Sequence, residues 1–447
     1  MFEISLNNFR GFHQQPFVPV RPITLLIGEN SAGKSSFLAA LKYLCDFVSP
    51  RDVPNFNSDP FQLGTFDQIS HFRGGRGGRA REFGLSLKET VTIQKSRISD
   101  IKGKFDTRID IIFSSVESHA SISLVKITAN SESLTATTSA GGIVIEYTNA
   151  ENKKTLIEDT KLIQPLAKAE LARHWPLMLQ SILFRALSVE LRDGKERLPE
   201  EINDAVFRLA EIAEAIGRQT TVRNEATSAI RTKPQRTYTP GTEKEDGEGS
   251  HVPYEIAKLY RSRAKNKSGW EELKKSIERF GHTSEMFKEL SVKSFGQTAS
   301  DPFQIQFANY GPKTNLVDLG YGTSQILPIL YSIAVARENS RFLIQQPEVH
   351  LHPKAQAALG QYIVDAWKRN RIQFVLETHS DFLVDRIKIS VADKIIQAED
   401  VSILFFERQK LENVITPINL DEMGEPIDPP ENYRAFFIGE QMRILGM

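Results

Sequence analysis

The chain has 447 residues, 40% hydrophobic and 25% charged, the composition of a globular protein with room for more than one domain. Its 56 Lys and Arg balance its 56 Asp and Glu, so bulk charge argues for neither a polyanion nor a membrane surface as partner, and any nucleic-acid contact must be a local patch. Cys45 is the only cysteine, which excludes an intrachain disulfide and points to a reducing cytoplasm; no apolar run is long enough to span a membrane.

In chain order, Met1–Leu6 starts with strand-like alternation and without signal-peptide architecture. The apolar run Ile23–Ile27 predicts a buried strand and Phe37–Leu41 the start of a helix. Between them stands Gly28-Glu29-Asn30-Ser31-Ala32-Gly33-Lys34-Ser35-Ser36, a complete P-loop. Its glycines let the backbone wrap a phosphate, and successive N–H groups and the helix N-terminus face the anion. Lys34 is suited to the β- and γ-phosphates of ATP and the Ser35 hydroxyl to Mg²⁺. A nucleoside triphosphate is therefore the expected ligand.

Residues His71–Arg81 carry Arg and Gly repeatedly, which reads as a solvated loop or as a contact to a phosphate backbone. From Glu82 to about Thr148, polar and apolar residues alternate between turn-like clusters, which predicts an antiparallel sheet. Between about Lys161 and Gly296 the pattern is mainly helical. Ile202, Val206, Leu209, Ile212 and Ile216 form one stripe after Pro199, and Trp270, Leu273, Ile277 and Phe280 another. Arg231–Gly249 reads as a loop between them. From Phe303 onward short apolar strands alternate with helices, as in an α/β sheet.

The C-terminal part supplies a second group of motifs. Gly320-Tyr321-Gly322-Thr323-Ser324-Gln325 opens an apolar helix and so offers another anion-binding N-terminus. The strand Arg341–Ile344 ends in Gln345-Gln346-Pro347-Glu348, and the strand Ile372–Leu376 ends in Glu377-Thr378-His379-Ser380. Ser380 reads as a helix N-cap. His350 and His352 alternate on a loop without a third metal ligand.

Taken in order, these motifs resemble the ABC-type ATPase heads of the SMC, RecF and OLD kind. Leu6–Phe12 is similar to their opening, Gly320–Gln325 to their signature loop, Gln345-Gln346-Pro347 to Walker B, His352 to a D-loop residue and His379 to the switch histidine. Within that group the chain resembles stand-alone ATPases of bacterial anti-phage systems, Septu-like or PARIS-like, with Arg434–Phe437 similar to their ending. The resemblance implies a mixed α/β P-loop head with a β insertion and a helical insertion. Residues 1–160 would form its N-terminal half with the P-loop and antiparallel region, 161–300 the helical insertion and 301–447 the C-terminal half. It implies nucleotide contacts from Gly28, Asn30, Ser31, Ala32, Gly33, Lys34, Ser35 and Ser36, and from Gly320, Gly322, Ser324 and Gln325 of a second copy. Mg²⁺ would be held by Ser35 and Gln345. Gln345, Gln346, Glu348, Glu377 and His379 would form the catalytic group.

Both carboxylates expected at Walker B are glutamines here. An amide cannot act as a general base and is a weaker partner for a hard cation than a carboxylate, so slow hydrolysis is expected. Glu348 and Glu377 are the nearby carboxylates in sequence, and Glu377 reads either as a replacement base or as a local pairing residue. The implied partners are a second copy, as a homodimer or an oligomer of dimers closed around ATP, and an effector, expected to be a nuclease, which would sit on another chain because no Toprim-like or HNH-like region is evident in this one. A DNA-repair or chromosome-maintenance ATPase is the alternative; the helical stretch lacks the long heptads of a coiled-coil arm.

Overall fold

The computed structural model describes residues 1–49, 54–75, 77–93, 102–139, 142–158, 200–220, 223–241, 246–264, 266–296 and 298–433. The first part of the expected helical stretch, up to residue 199, and Arg434–Phe437 lie outside the described residues.

Two compact units emerge, each built from separated stretches of chain. The first comprises Met1–Val20, Glu29–Val222 and Phe406–Ile415. Its framework is one sheet of eight strands: β1 (Phe2–Phe9), β2 (Phe12–Val20), β4 (Glu82–Ile93), β5 (Gly103–Val116), β6 (His119–Ala129), β7 (Glu132–Ser139), β8 (Gly142–Thr148) and β9 (Lys154–Glu158), in the order β2-β1-β4-β5-β6-β7-β8-β9. All the neighbours pair antiparallel. The alternating region expected after Glu82 is therefore continuous with the N-terminal hairpin, because β1 presents Phe2–Asn7 to Gly84–Glu89 in unbroken register. The alternation puts Phe83, Leu85 and Leu87 on the buried face. Against that sheet pack helices α1 (Lys34–Val48), α2 (Phe66–Ile69) and α3 (Glu200–Thr220). Leu209, Ile212 and Ile216 of α3 are buried, as the stripe predicts. Tyr43 of α1 stacks on Phe56 at 4.0 Å, and Phe56 meets Phe83 and Phe113 edge-on, so aromatic packing locks the P-loop helix to its sheet. Cys45 is buried here.

The second unit comprises Arg21–Gly28, Arg223–Phe405 and Thr416–Met447. Its strands are β3 (Ile23–Gly28), β10 (Asn224–Thr227), β11 (Glu289–Ser294), β12 (Phe303–Ala308), β13 (Thr314–Asn315), β14 (Arg341–Gln345) and β15 (Gln373–Glu377). Strands β16 (Val401–Gln409) and β17 (Glu412–Ile418) run on into the first unit. The six-stranded sheet has the order β10-β14-β15-β3-β16-β17, and β10, β14, β15 and β3 pair parallel. Strands β11, β12 and β13 form a separate antiparallel sheet. Helices α4 (Val252–Ser262), α5 (Lys267–Ser284), α6 (Tyr321–Val335), α7 (Pro353–Asn370) and α8 (Asp381–Ala392) complete this unit.

Strand β10 departs from the helical expectation for its region. Asn224–Thr227 has weak β-propensity, but it takes the edge position beside β14, pairing Asn224–Thr227 with Arg341–Ile344. Trp270, Leu273, Ile277 and Phe280 of α5 are buried in the same core as Ile326, Leu327, Ile329, Leu330 and Ile333 of α6 and the parallel strands. This stretch is thus built into the parallel-sheet unit.

Candidate nucleotide site

Strand β3 is buried along its whole length, as a central parallel strand must be. Beyond it the chain enters left-handed backbone at Gly28 (φ 134°), Ser31 (φ 63°) and Gly33 (φ 97°). This alternation turns main-chain N–H groups into a concavity that suits an anion. Gly33 is doubly constrained, since a Cβ there would lie 2.7 Å from both the Phe12 ring and the Asn413 amide nitrogen. Gly33 is also the N-cap of α1, which carries no side-chain cap and no acidic residue in its first turn, so the positive end of the helix is kept for a ligand. The buried Lys34 side chain folds back over the loop and donates from Nζ to the carbonyl of Glu29 at 2.7 Å. Asn30, Ser31 and Ser35 are exposed and Ala32 is buried. Ser36 receives a 3.5 Å contact from Nε of Arg10, whose pKa is lowered by burial and by the charge of Arg79.

The hairpin formed by β16 and β17 braces this loop. Asn413 donates its N–H to the carbonyl of Gly11 at 2.7 Å and lays its amide beside Gly11 and Gly33. The main chain of Glu29 donates to Phe406 at 3.1 Å. Nothing in the local sequence marks Asn413 for this role.

In the second unit, β14, β15 and β3 end together, with Gln345 opposite Glu377 and Glu377 opposite Leu26. Ligands of open parallel sheets bind outside this carboxyl edge. The turns beyond the strands are tied to one another. Gln346, at φ 42°, donates its N–H to the carbonyl of Glu377 at 2.8 Å, and Thr378 donates to Leu26 at 3.2 Å. The Gln345 amide oxygen accepts the N–H of Ala229 at 3.3 Å, which occupies one of its two lone pairs. The main-chain N–H of His379 donates to Glu348 Oε1 at 2.7 Å. Burial pushes the Glu348 carboxyl above the usual carboxylate range, against the hydrogen bonds from His379 and Thr378 and the charge of Arg231. Glu348 and the His379 turn are thus brought together, while Glu377 is buried and meets Gln346 through its main chain.

Helix α6 starts at its N-cap Gly320. A Cβ on Gly320 would meet nothing within 4 Å among the described residues, whereas one on Gly322 would come 2.5 Å from the carbonyl oxygen of His350. Tyr321 stands edge-on to the His350 ring at 4.7 Å, so the signature-like loop is seated on the loop that follows β14. Ser324 and Gln325 are turned inward: both are buried, and the Ser324 hydroxyl donates to the Tyr321 carbonyl at 2.7 Å. His352 is the N-cap of α7, and Ser380 caps α8 by accepting the N–H of Leu383 at 3.0 Å.

A strand, a phosphate-shaped turn and an uncapped helix in succession are the parts of a P-loop ATPase. A family model described as an AAA ATPase domain matches residues 1–384. The chain belongs to that AAA ATPase domain family. No curated protein matches this ATPase. Solved structures similar to it include an SMC head bound to the C-winged helix domain of ScpA, at 10% identity and TM-score 0.45, covering 94% of this chain and 98% of that one. Another is an Smc head with an extended coiled coil bound to the C-terminal domain of ScpA, derived from Pyrococcus furiosus, at 10% identity and TM-score 0.44, covering 99% and 100%. The SMC head from Thermotoga maritima follows at 9% identity and TM-score 0.37, covering 93% and 97%. The assignment of the ATPase rests on the family match and on its own mixed α/β architecture. Among its described residues no helix is long and apolar enough to cross a membrane.

Proposed function

We propose that the chain is an ABC-type ATPase of the cytoplasm that binds Mg²⁺-ATP, hydrolyses it slowly and uses the bound state as a switch. The observation that carries this reading is the left-handed backbone at Gly28, Ser31 and Gly33 leading into the uncapped α1, with Lys34 folded over the loop. The donor set fits a triphosphate: main-chain N–H groups and one ammonium for the phosphates, and the exposed Ser35 hydroxyl for the cation. Mg²⁺, when bound, offsets charge on the phosphate oxygens. With Gln345 and Gln346 at the Walker B positions, the reading gives the role of general base to Glu348. Its raised pKa brings the carboxyl closer to the working range of a base. Glu377 is the second candidate.

Two copies would close on ATP, each presenting the open end of α6 at Gly320 to the nucleotide held by the other. The ordered motifs and their resemblance support a sensor of an anti-phage system that controls a separate effector nuclease. The alternative, direct action on DNA, draws on the exposed Arg73, Arg79 and Arg81 of the Arg/Gly stretch. Equilibrium binding of Mg²⁺-ATP to Lys34→Ala tests the core of the reading. Loss of one charge-assisted contact of about 1.5–3 kcal/mol should weaken binding roughly 10- to 150-fold. Unchanged affinity would refute the P-loop assignment. Comparison of phosphate release by Glu348→Gln and Glu377→Gln then identifies the base.

A further inference from the structure

Arg231, in the loop after β10, is 2% exposed. Its Nη2 donates to the carbonyl oxygens of Gln345 at 3.1 Å and Gln346 at 3.3 Å, on either side of the peptide that enters the left-handed Gln346. Among the described residues its Nε and Nη1 meet no hydrogen-bond partner, and neither does Oε2 of Glu348. A buried cation with unspent donors costs several kcal/mol unless a counter-charge is close. The field of the Glu348 carboxylate acts on this cation, opposing the effect of burial. Burial pushes the guanidinium down to about 10, so it stays charged at neutral pH. Around Glu348 stand Arg231 from the β10 loop and the Thr378 hydroxyl and His379 main chain from the turn after β15.

The loop that carries Arg231 is held at both ends. Ala229 donates its N–H to the Gln345 side chain. Ser228 and Thr232 donate to the carbonyls of Gly247 and Glu248 at 2.9 and 3.1 Å. The next residue, Gly249, lies so close to Pro328 that a Cβ on it would be 2.5 Å from the proline ring. Pro328 lies within α6, the helix whose N-cap is Gly320. A continuous strip of contacts therefore joins α6 to the turn that carries Glu348.

We propose that Arg231 is a positioning residue for hydrolysis, which clamps the Gln345–Gln346 turn through its two carbonyls, steadies the Glu348 carboxylate and ties both to α6. The proposal rests on the reading of Glu348 as general base. In steady-state assays of the full chain, Arg231→Met should lower kcat about 100-fold. The Kd for Mg²⁺-ATP should stay within about twofold, and Arg231→Lys should recover about tenfold of the lost kcat. In a cycle with Glu348→Gln, Arg231→Met should add no further loss of kcat, because the two residues act as one unit. The Tm of the double variant should exceed that of Arg231→Met, since no buried charge is left alone.

Losses of kcat that multiply, or an ATP affinity that falls with kcat, would overturn the proposal. If Arg231→Met does not fold, the double variant decides: its folding supports the charge coupling, and its failure beside a folded Glu348→Gln overturns it. If Glu348→Gln keeps full kcat, the base assignment falls and the proposed role in hydrolysis falls with it. Normal loss in Glu348→Gln beside an unaffected Arg231→Met removes the role of Arg231 alone.

Discussion

At the scale of single residues, the P-loop is decided by where a side chain is impossible. Gly33 has a left-handed φ of 97° and sits against the Phe12 ring and the Asn413 amide. Gly33→Ala adds backbone strain to that crowding and should cost about 1–3 kcal/mol of stability. A shift in the urea midpoint together with weaker ATP binding is the expected result; an unchanged midpoint would show that the loop can reshape at no cost. Glu348 makes the opposite point, since burial there opposes the charged form. Its carboxyl pKa is raised by burial, so the native chain binds a proton more tightly than the unfolded one. Stability then falls as pH rises from the unfolded value toward the folded value. Glu348→Gln keeps an oxygen for the His379 N–H and removes that slope. Relative to the native chain, its Tm should therefore gain as pH rises through this window. A constant difference in Tm across pH would contradict the raised pKa.

At the scale of elements, α6 shows how one helix start serves two purposes. Gly320 is open, while Gly322 is closed against His350, so the helix end both faces solvent and touches the loop after β14. Gly322→Ala must push α6 and that loop apart, because the group it meets is a main-chain carbonyl. ATP affinity should hold while turnover falls by about tenfold or more, on the general rule that small misplacements near a site cost rate. Equal losses in binding and turnover would show that the contact only supports the fold. This helix is legible in the sequence, because Ile326, Leu327, Ile329, Leu330 and Ile333 form an apolar helical stripe and are all buried. The same is not true of β10, whose short sequence becomes a strand only because an edge beside β14 is there to receive it.

At the scale of the whole molecule, ATP should promote association if two copies share the nucleotide. Ser324 is a poor place to test this, since it is buried and bonded within its own helix, and a large substitution would disturb packing. Gly320→Glu is better suited, because its Cβ enters open space. This variant should fold with native Tm, bind ATP and fail to associate with it, by sedimentation or light scattering. ATP-driven association equal to that of the native chain would remove the open end of α6 from the interface.

The sequence alone determined those parts whose chemistry is local. The P-loop is nine neighbouring residues, Gly28–Ser36, between a strand and a helix, and sterics over a few bonds dictate its shape. The α3 and α5 stripes and the alternation after Glu82 are likewise periodicities of adjacent positions. Tertiary structure decided what depends on distant partners. Phe2–Asn7 joins the later strands into one eight-stranded sheet, and Asn413 packs against Gly33. Arg231 meets a carbonyl 114 positions away. An arginine in a polar loop reads as solvated until the fold wraps it, because burial belongs to the neighbours that pairing brings and no short stretch of sequence contains them.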